Sequence, residues 1–155
     1  MSRELALADL QSKLGSEIHV SPWIEVTQER VGAFADATGD HQWIHVDVQR
    51  AAQDSPYHGT IAHGYLTLSL YPMLRGLVEE SQPLFPGIRN VINYGINKLR
   101  FPNALRVGSR LRLRSTLLAV DEVPGGLQIT EAGTFEVEGE PKPACVAELV
   151  MRLYF

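Results

Sequence analysis

A chain of 155 residues with 45 % apolar and 21 % charged side chains has the length and make-up of one domain, residues 1–155, able to bury a core without staples. Its formal charge of −4 argues against a nucleic-acid partner, which needs a cationic surface to release counterions, and no run approaches the roughly 18 apolar residues of a membrane span. The one cysteine, Cys145, can form neither an internal disulfide nor a cysteine-based metal site, and it favours a reducing compartment.

Met1 to Gly15 mixes Arg3, Glu4, Asp9 and Lys13 with Leu7, Leu10 and Leu14. That pattern predicts a short amphipathic helix without the apolar run of a secretory signal, so a cytoplasmic location is expected. Glu17 to Val26 looks extended. Thr27 is a good N-cap for a helix that places Val31, Phe34, Ala35 and Thr38 on one face, and Gly39 supplies a stop. Asp40 to Tyr57 reads as irregular, with a helical piece around Gln49 to Gln53 and a break at Ser55-Pro56. From Gly64 to about Leu77 apolar residues fall on nearly every side, which predicts a helix surrounded by protein. Pro72 removes a hydrogen bond inside it and predicts a kink near Leu68.

The period then changes. Val91–Phe101, Ser109–Val120, Leu127–Glu138 and Ala144–Phe155 alternate, and Pro102-Asn103, Val107-Gly108, Pro124-Gly125-Gly126 and Gly139-Glu140-Pro141 mark turns between them. Four consecutive strands joined by short turns predict an antiparallel sheet, and with the buried helix an α+β layer in which a curved sheet wraps a central helix. Arg110, Arg112 and Arg114 alternate with leucines, as on a solvated outer sheet face.

Three residues stand out, each with a dull explanation. Asp40 follows a helix-stopping glycine, where Asp commonly bonds turn amides. His45, between Ile44 and Val46, fits a core histidine satisfied by one hydrogen bond. His63-Gly64 fits a loop ahead of a helix. Together they are the parts for adding water across a carbon–carbon double bond beside a thioester: an acid/base pair that can hold one water, and backbone amides for the carbonyl oxygen that gains enolate charge. Gly64 opens the apolar helix, where N–H groups are unpaired, and glycine lets a carbonyl approach the backbone closely.

The stretch Phe34-x-x-x-x-Gly39-Asp40-x-x-x-Ile44-His45-x-Asp47, followed by Ile61-Ala62-His63-Gly64, resembles the hydratase signature of MaoC-like dehydratases and (R)-specific enoyl-CoA hydratases. Asn93-Tyr94-Gly95, Arg100-Phe101-Pro102 and Val107-Gly108 extend the likeness over nearly the whole chain, above all to short single-domain members such as the nodulation-protein-N-like ones. The resemblance implies a hot-dog fold. It implies that Asp40 and His45 activate water for syn addition to a trans-2-enoyl thioester, giving an (R)-3-hydroxyacyl thioester reversibly. It also implies that the Gly64 amide binds the thioester oxygen, and that a homodimer holds the acyl-CoA or acyl-carrier-protein thioester in a cleft between subunits, without a cofactor. The usual Asn-Pro between Asp and His is replaced by Gln42-Trp43, which keeps an amide but exchanges a rigid proline for an indole. Gln42, Trp43, His63 and Tyr65 are therefore expected beside the substrate, with Leu66 and Leu70 along the acyl chain, and Lys98 and Arg100 are candidates to meet coenzyme A phosphates.

Two other enzyme or binding readings compete. Hot-dog thioesterases also use a carboxylate and helix-terminal amides, but most lack a histidine five residues after it. A non-catalytic acyl-thioester binder would need neither proton-transfer group. His41, His45, His58 and His63 crowd one segment, yet no pair has compelling ligand geometry with a carboxylate, so no metal is expected.

Overall fold

The computed structural model describes residues 2–155; Met1, the first residue of the expected N-terminal helix, lies outside the described residues. That helix, α1 (Ser2–Ser12), turns Ala6 and Leu10 inward. Strands β1 (Glu17–Val20) and β2 (Ile24–Glu25) occupy the stretch expected to be extended. Helix α2 (Gln28–Thr38) starts where Thr27 accepts the Arg30 amide, and it stops at Gly39, whose φ of 78° is one that L side chains rarely adopt. Helix α4 (Val48–Asp54) matches the expected helical piece, capped by the Asp47 carboxylate. Before it comes α3 (Trp43–Val46), one turn inside the stretch expected to be irregular.

Four long strands follow: β3 (Asn90–Arg100), β4 (Arg110–Val123), β5 (Gly126–Val137) and β6 (Cys145–Tyr154). All neighbouring strands run antiparallel in the order β1-β4-β5-β6-β3, with β2 also pairing β4. Burial alternates along β4, β5 and β6 with the period of two that the sequence carries. Leu111, Leu113, Leu117, Phe135 and Met151 point from the inner face into one core, while Arg110, Arg112 and Arg114 lie outside, ion-paired with Glu17, Glu136 and Glu138. The arrangement is an α+β hot-dog fold, a curved antiparallel sheet around a central helix.

Two details differ from the expectation. Strand β3 does not form a hairpin with β4; it pairs β6 at the opposite edge. The connecting segment 101–109 is stitched instead to residues 60–62: Ala62 N–H donates to the Leu105 carbonyl at 2.8 Å and Val107 N–H to the Thr60 carbonyl at 3.0 Å. Its two turn signals bracket a crossing segment with a buried Leu105. The central helix, secondly, is two pieces, α5 (Gly64–Ser69) and α6 (Tyr71–Arg75), joined at Leu70 and ended by Gly76. Pro72 has no amide to offer the Leu68 carbonyl, so the ladder breaks there. Leu66, Leu70, Tyr71 and Leu74 are buried, but Tyr65 and Met73 are exposed. Apolar residues all round therefore do not mean that this one chain covers every side: the outward face of the helix pair is left open.

Candidate active site

Gly39 reverses the chain after α2 and delivers Asp40 to a tight turn. The Asp40 carboxylate accepts the Gln42 amide at 3.3 Å, and its own amide donates to Thr38 Oγ1 at 3.4 Å. The turn explanation of Asp40 is thus satisfied by one carboxylate oxygen, and the side chain remains 54 % exposed. One turn on, α3 points His45 inward, where it is buried. His45 Nδ1 lies 2.7 Å from the Ile61 carbonyl. A carbonyl only accepts, so Nδ1 carries the proton and Nε2 keeps a free lone pair. The core-histidine reading accounts for one ring nitrogen and leaves the other available for chemistry.

Ile61 N–H returns a bond to the Ile44 carbonyl at 3.0 Å, which locks α3 to the segment that leads into α5. Two residues not singled out in the sequence complete this frame. Thr60 Oγ1 donates to Gln28 Oε1 at 2.6 Å, and Gln28 Nε2 donates to the His45 carbonyl at 2.7 Å. Nothing in their spacing signals the contact, because a residue in the first turn of α2 meets a loop residue far along the chain.

His63 stands directly before α5 and is only 3 % exposed. Its ring stacks on that of His45, centroids 3.8 Å apart and planes 23° apart, with Phe34 at 4.9 Å. His63 Nε2 donates to the backbone carbonyl of Asp40 at 2.9 Å; the Asp40 carboxylate is farther, at 4.0 Å. The hydrogen bond therefore goes to the main chain. One side-chain donor atom from each of Asp40, His45 and His63 falls within 4.8 Å of the others. That is a metal-like grouping by distance alone. The two rings are stacked, however, so their in-plane lone pairs lie in separate, nearly parallel planes and do not converge on one ion about 2 Å from both.

Burial, the largest influence, holds the His45 pKa below the ordinary histidine value, and the neighbouring His63 adds to this; the Ile61 carbonyl and Asp40 oppose it. His45 is neutral at neutral pH for that reason. Gly64 begins α5, whose first backbone bonds run from Leu66 and Thr67 back to the His63 carbonyl, so the Gly64 amide lies ahead of the ladder. A Cβ on Gly64 would stand 3.0 Å from the Phe101 ring. Packing against Phe101 is thus a reason for glycine here in addition to close approach by a ligand. His45 and Gly64 share the wall of a cavity of about 230 Å³ with Tyr57, Thr67, Phe101 and Leu105.

The remaining candidates are scattered. Gln42 is exposed ahead of α3, and Trp43 is half-buried with the Arg50 guanidinium 4.2 Å above its ring. Tyr65 is exposed and meets Phe101 edge-on at 6.0 Å. Leu66 and Leu70 face the core, away from the lining of the His45 cavity. Lys98 and Arg100 line a different groove, of about 780 Å³, with Thr134, Val146 and Glu148. Lys98 there lies 3.5 Å from Glu148, and Arg100 donates to the Leu99 carbonyl. The structure joins Asp40, His45, His63 and Gly64 and leaves the two cations apart from them.

The model of the MaoC-like domain matches residues 9–136. The chain belongs to the MaoC-like dehydratase family and is a hydro-lyase. It is 49 % identical over 148 residues to a 3-hydroxyacyl-thioester dehydratase Z of Mycobacterium tuberculosis, covering 95 % of each chain. It is 40 % identical over 153 residues to nodulation protein N of Rhizobium leguminosarum bv. viciae, covering 98 % of this chain and 93 % of that one. Among solved structures, the (R)-hydratase PhaJ1 of Pseudomonas aeruginosa superposes with a TM-score of 0.68 at 21 % identity, over 91 % of this chain and 81 % of that one. The last likeness carries the fold, and the two sequence relatives carry the family. Among the described residues of this MaoC-like chain, no helix is long and apolar enough to cross a membrane.

Proposed function

We propose that this chain is an (R)-specific enoyl-CoA hydratase, adding water reversibly across the double bond of a trans-2-enoyl thioester. The observation that carries the reading is the free Nε2 of a neutral, buried His45, grouped with the Asp40 carboxylate and sharing a cavity wall with Gly64. Asp40 and His45 hold one water between them. As its oxygen bonds to the β-carbon, one of the pair takes its proton, and a proton returns from the pair to the α-carbon on the same face. The electron pair of the double bond passes through the thioester oxygen as an enolate and back to the α-carbon. The Gly64 amide meets that oxygen while it is charged, a contact typically worth about 100-fold or more in rate. Protein side chains supply every proton, so the reaction needs neither metal nor cofactor.

The exposed apolar face supports a homodimer as the working form. Tyr65 and Met73 of the central helix and Ile92, Tyr94 and Ile96 of β3 are all exposed, and one edge of the eleven-residue β3 is unpaired in the sheet order. A second copy adding its β3 there covers both, and brings groups of one subunit to the cleft of the other. A cytoplasmic location and a single domain over residues 1–155 complete the reading.

The test is to mix crotonyl-CoA with the protein. Loss of the enoyl absorbance with formation of 3-hydroxybutyryl-CoA and no free thiol is expected, with the (R) product on chiral analysis. Free thiol without hydroxyacyl product overturns hydration in favour of a thioesterase, and no change in either signal leaves an acyl-thioester binder.

A further inference from the structure

His63 is the one member of the site cluster that the proposed reaction does not use. It is nearly inaccessible, so it cannot donate to a water that other groups reach from the cavity, and it is not among the residues that line that cavity. Its three contacts nevertheless fall on the three parts that the reaction needs. Its Nε2–H holds the main-chain carbonyl of Asp40, its ring lies flat on His45, and its own carbonyl accepts the Leu66 and Thr67 amides that begin α5 directly after Gly64. The geometry points to His63 as the positioning residue of this site, setting the Asp40 turn, the His45 ring and the Gly64 amide in one register. The inference rests on the hydratase reading above and adds a role to it.

The alternative is that His63 only fills space between Phe34 and His45. Two observations weigh against that. A leucine or phenylalanine would fill the same space without burying a polar atom, and His63 Nδ1 is buried with no partner among the described residues. Buried polar atoms that go unpaired are rarely kept for stability. The Nε2 bond, moreover, reaches the backbone of Asp40 across a gap of 23 residues and ties the carboxylate turn to the α5 side. Removing it unties the Asp40 turn from the residue that leads into α5.

Asparagine and glutamine separate the readings, because they differ by one methylene and are equally polar. The glutamine amide nitrogen falls where the histidine Nε2 stands, and the asparagine nitrogen falls where Nδ1 stands, short of the Asp40 carbonyl. With crotonyl-CoA as substrate, His63→Asn is expected to lower kcat by about 10-fold or more with KM within about twofold, and His63→Gln to recover to within about threefold of the natural protein, since a misplacement near 1 Å can cost on the order of 100-fold. Equal kcat in the two variants, or a loss carried by KM alone, overturns the positioning role. If either variant fails to fold, the ring nitrogen resonances of the unaltered protein decide: a protonated Nε2 with a bare Nδ1 on His63 at neutral pH is expected, and the reverse tautomer overturns the inference. A natural protein that hydrates nothing would instead sink the hydratase reading itself, which the positioning test leaves untouched.

Discussion

The two ends of the central helix pair both bury ionisable side chains, and they treat them in opposite ways. Beyond α6, Glu131 of β5 accepts the Tyr71 hydroxyl at 2.6 Å and the Arg75 guanidinium through Nε and Nη2 at 3.0 Å. Glu131 and Arg75 are both buried, and burial together with the Glu131 charge keeps the Tyr71 phenol protonated far above its usual range. At the start of α5, one ring nitrogen each of His45 and His63 has no hydrogen-bond partner among the described residues, and the Asp40 carboxylate beside them is half exposed. Buried charges that bond each other clamp a helix to a sheet. The lone pair of His45, held at the cavity wall near a carboxylate that water reaches, is the arrangement that proton transfer needs. The same fold therefore keeps one polar cluster at α6 and the other at the start of α5, and substitutions should sort between stability and turnover accordingly.

The largest effect is expected at the clamp. Glu131→Ala leaves the Arg75 guanidinium buried without its partner, which typically costs about 3–5 kcal/mol. Urea unfolding should show the midpoint falling at unchanged slope. Replacing Glu131 and Arg75 together by leucine and methionine should recover most of that loss, because the desolvation of both charges disappears with their attraction. A double variant as unstable as Glu131→Ala would mean that the cluster does more than clamp.

At the other end the sign of the comparison reverses. Asp40→Asn and His45→Gln should each lower turnover of crotonyl-CoA by at least about 100-fold. The Asp40 side chain is exposed, its carboxylate accepts the Gln42 amide of its own turn, and the His63 bond goes to its main chain, so the amide variant should melt where the natural protein does. Near-normal turnover in either variant would refute the assignment of the acid/base pair. Gly64→Ala comes next. Its Cβ must push the Phe101 ring by a few tenths of an ångström, and that ring is partly exposed and free to give. Stability should change little, while a methyl group at the mouth of α5 hinders the thioester oxygen and lowers kcat by about 10-fold. A Gly64→Ala protein that is destabilised but turns over normally would assign the glycine to Phe101 packing alone.

How much of this was legible in the sequence depends on how local the cause is. Thr27 and Gly39 cap α2 through their own backbone geometry, and both are readable one residue at a time. The alternation of β4, β5 and β6 was equally plain, since one buried face imposes a period of two. Strand β3 misled: it alternates like the others, but its partner is β6, and a hairpin with β4 is ruled out by the bonds that tie residues 101–109 to 60–62. Pairing between distant segments leaves no local mark. In the site, motif spacing marks Asp40, His45 and Gly64 and places His63 beside them, but nothing in the spacing shows that the His63 ring lies buried against His45. Gln28 and Thr60 went unseen for the reason β3 did, because their contact spans 32 residues. Lys98 and Arg100 are phosphate candidates by their nearness to the matched segment and the fit of a guanidinium fork to phosphate, and within this chain they line a separate groove.

The smallest expected effect is a shift in pH dependence, and its direction is fixed. His45 in the folded chain has a pKa below the histidine value of 6.5, chiefly through burial. The unfolded chain thus binds a proton on His45 at a pH where the folded one does not, and this favours the unfolded state as the solution is acidified. The contribution of His45 to stability is complete above 6.5 and is lost as pH falls from there through its folded pKa. Exposed His41 runs the other way: its hydrogen bond to Asp36 raises its pKa, so its contribution is present at low pH and is lost as pH rises through that raised value. Salt screens an exposed pair and spares a buried ring. In high salt the acid side of the stability curve should therefore keep the His45 component and lose that of His41, and His45→Gln should remove what is left. Turnover should follow the same group, with the acid limb of kcat/KM below 6.5 because the neutral ring is the working form. An acid limb above 6.5 would require a protonated, stabilised His45 that the contact with His63 and the burial of the ring both oppose.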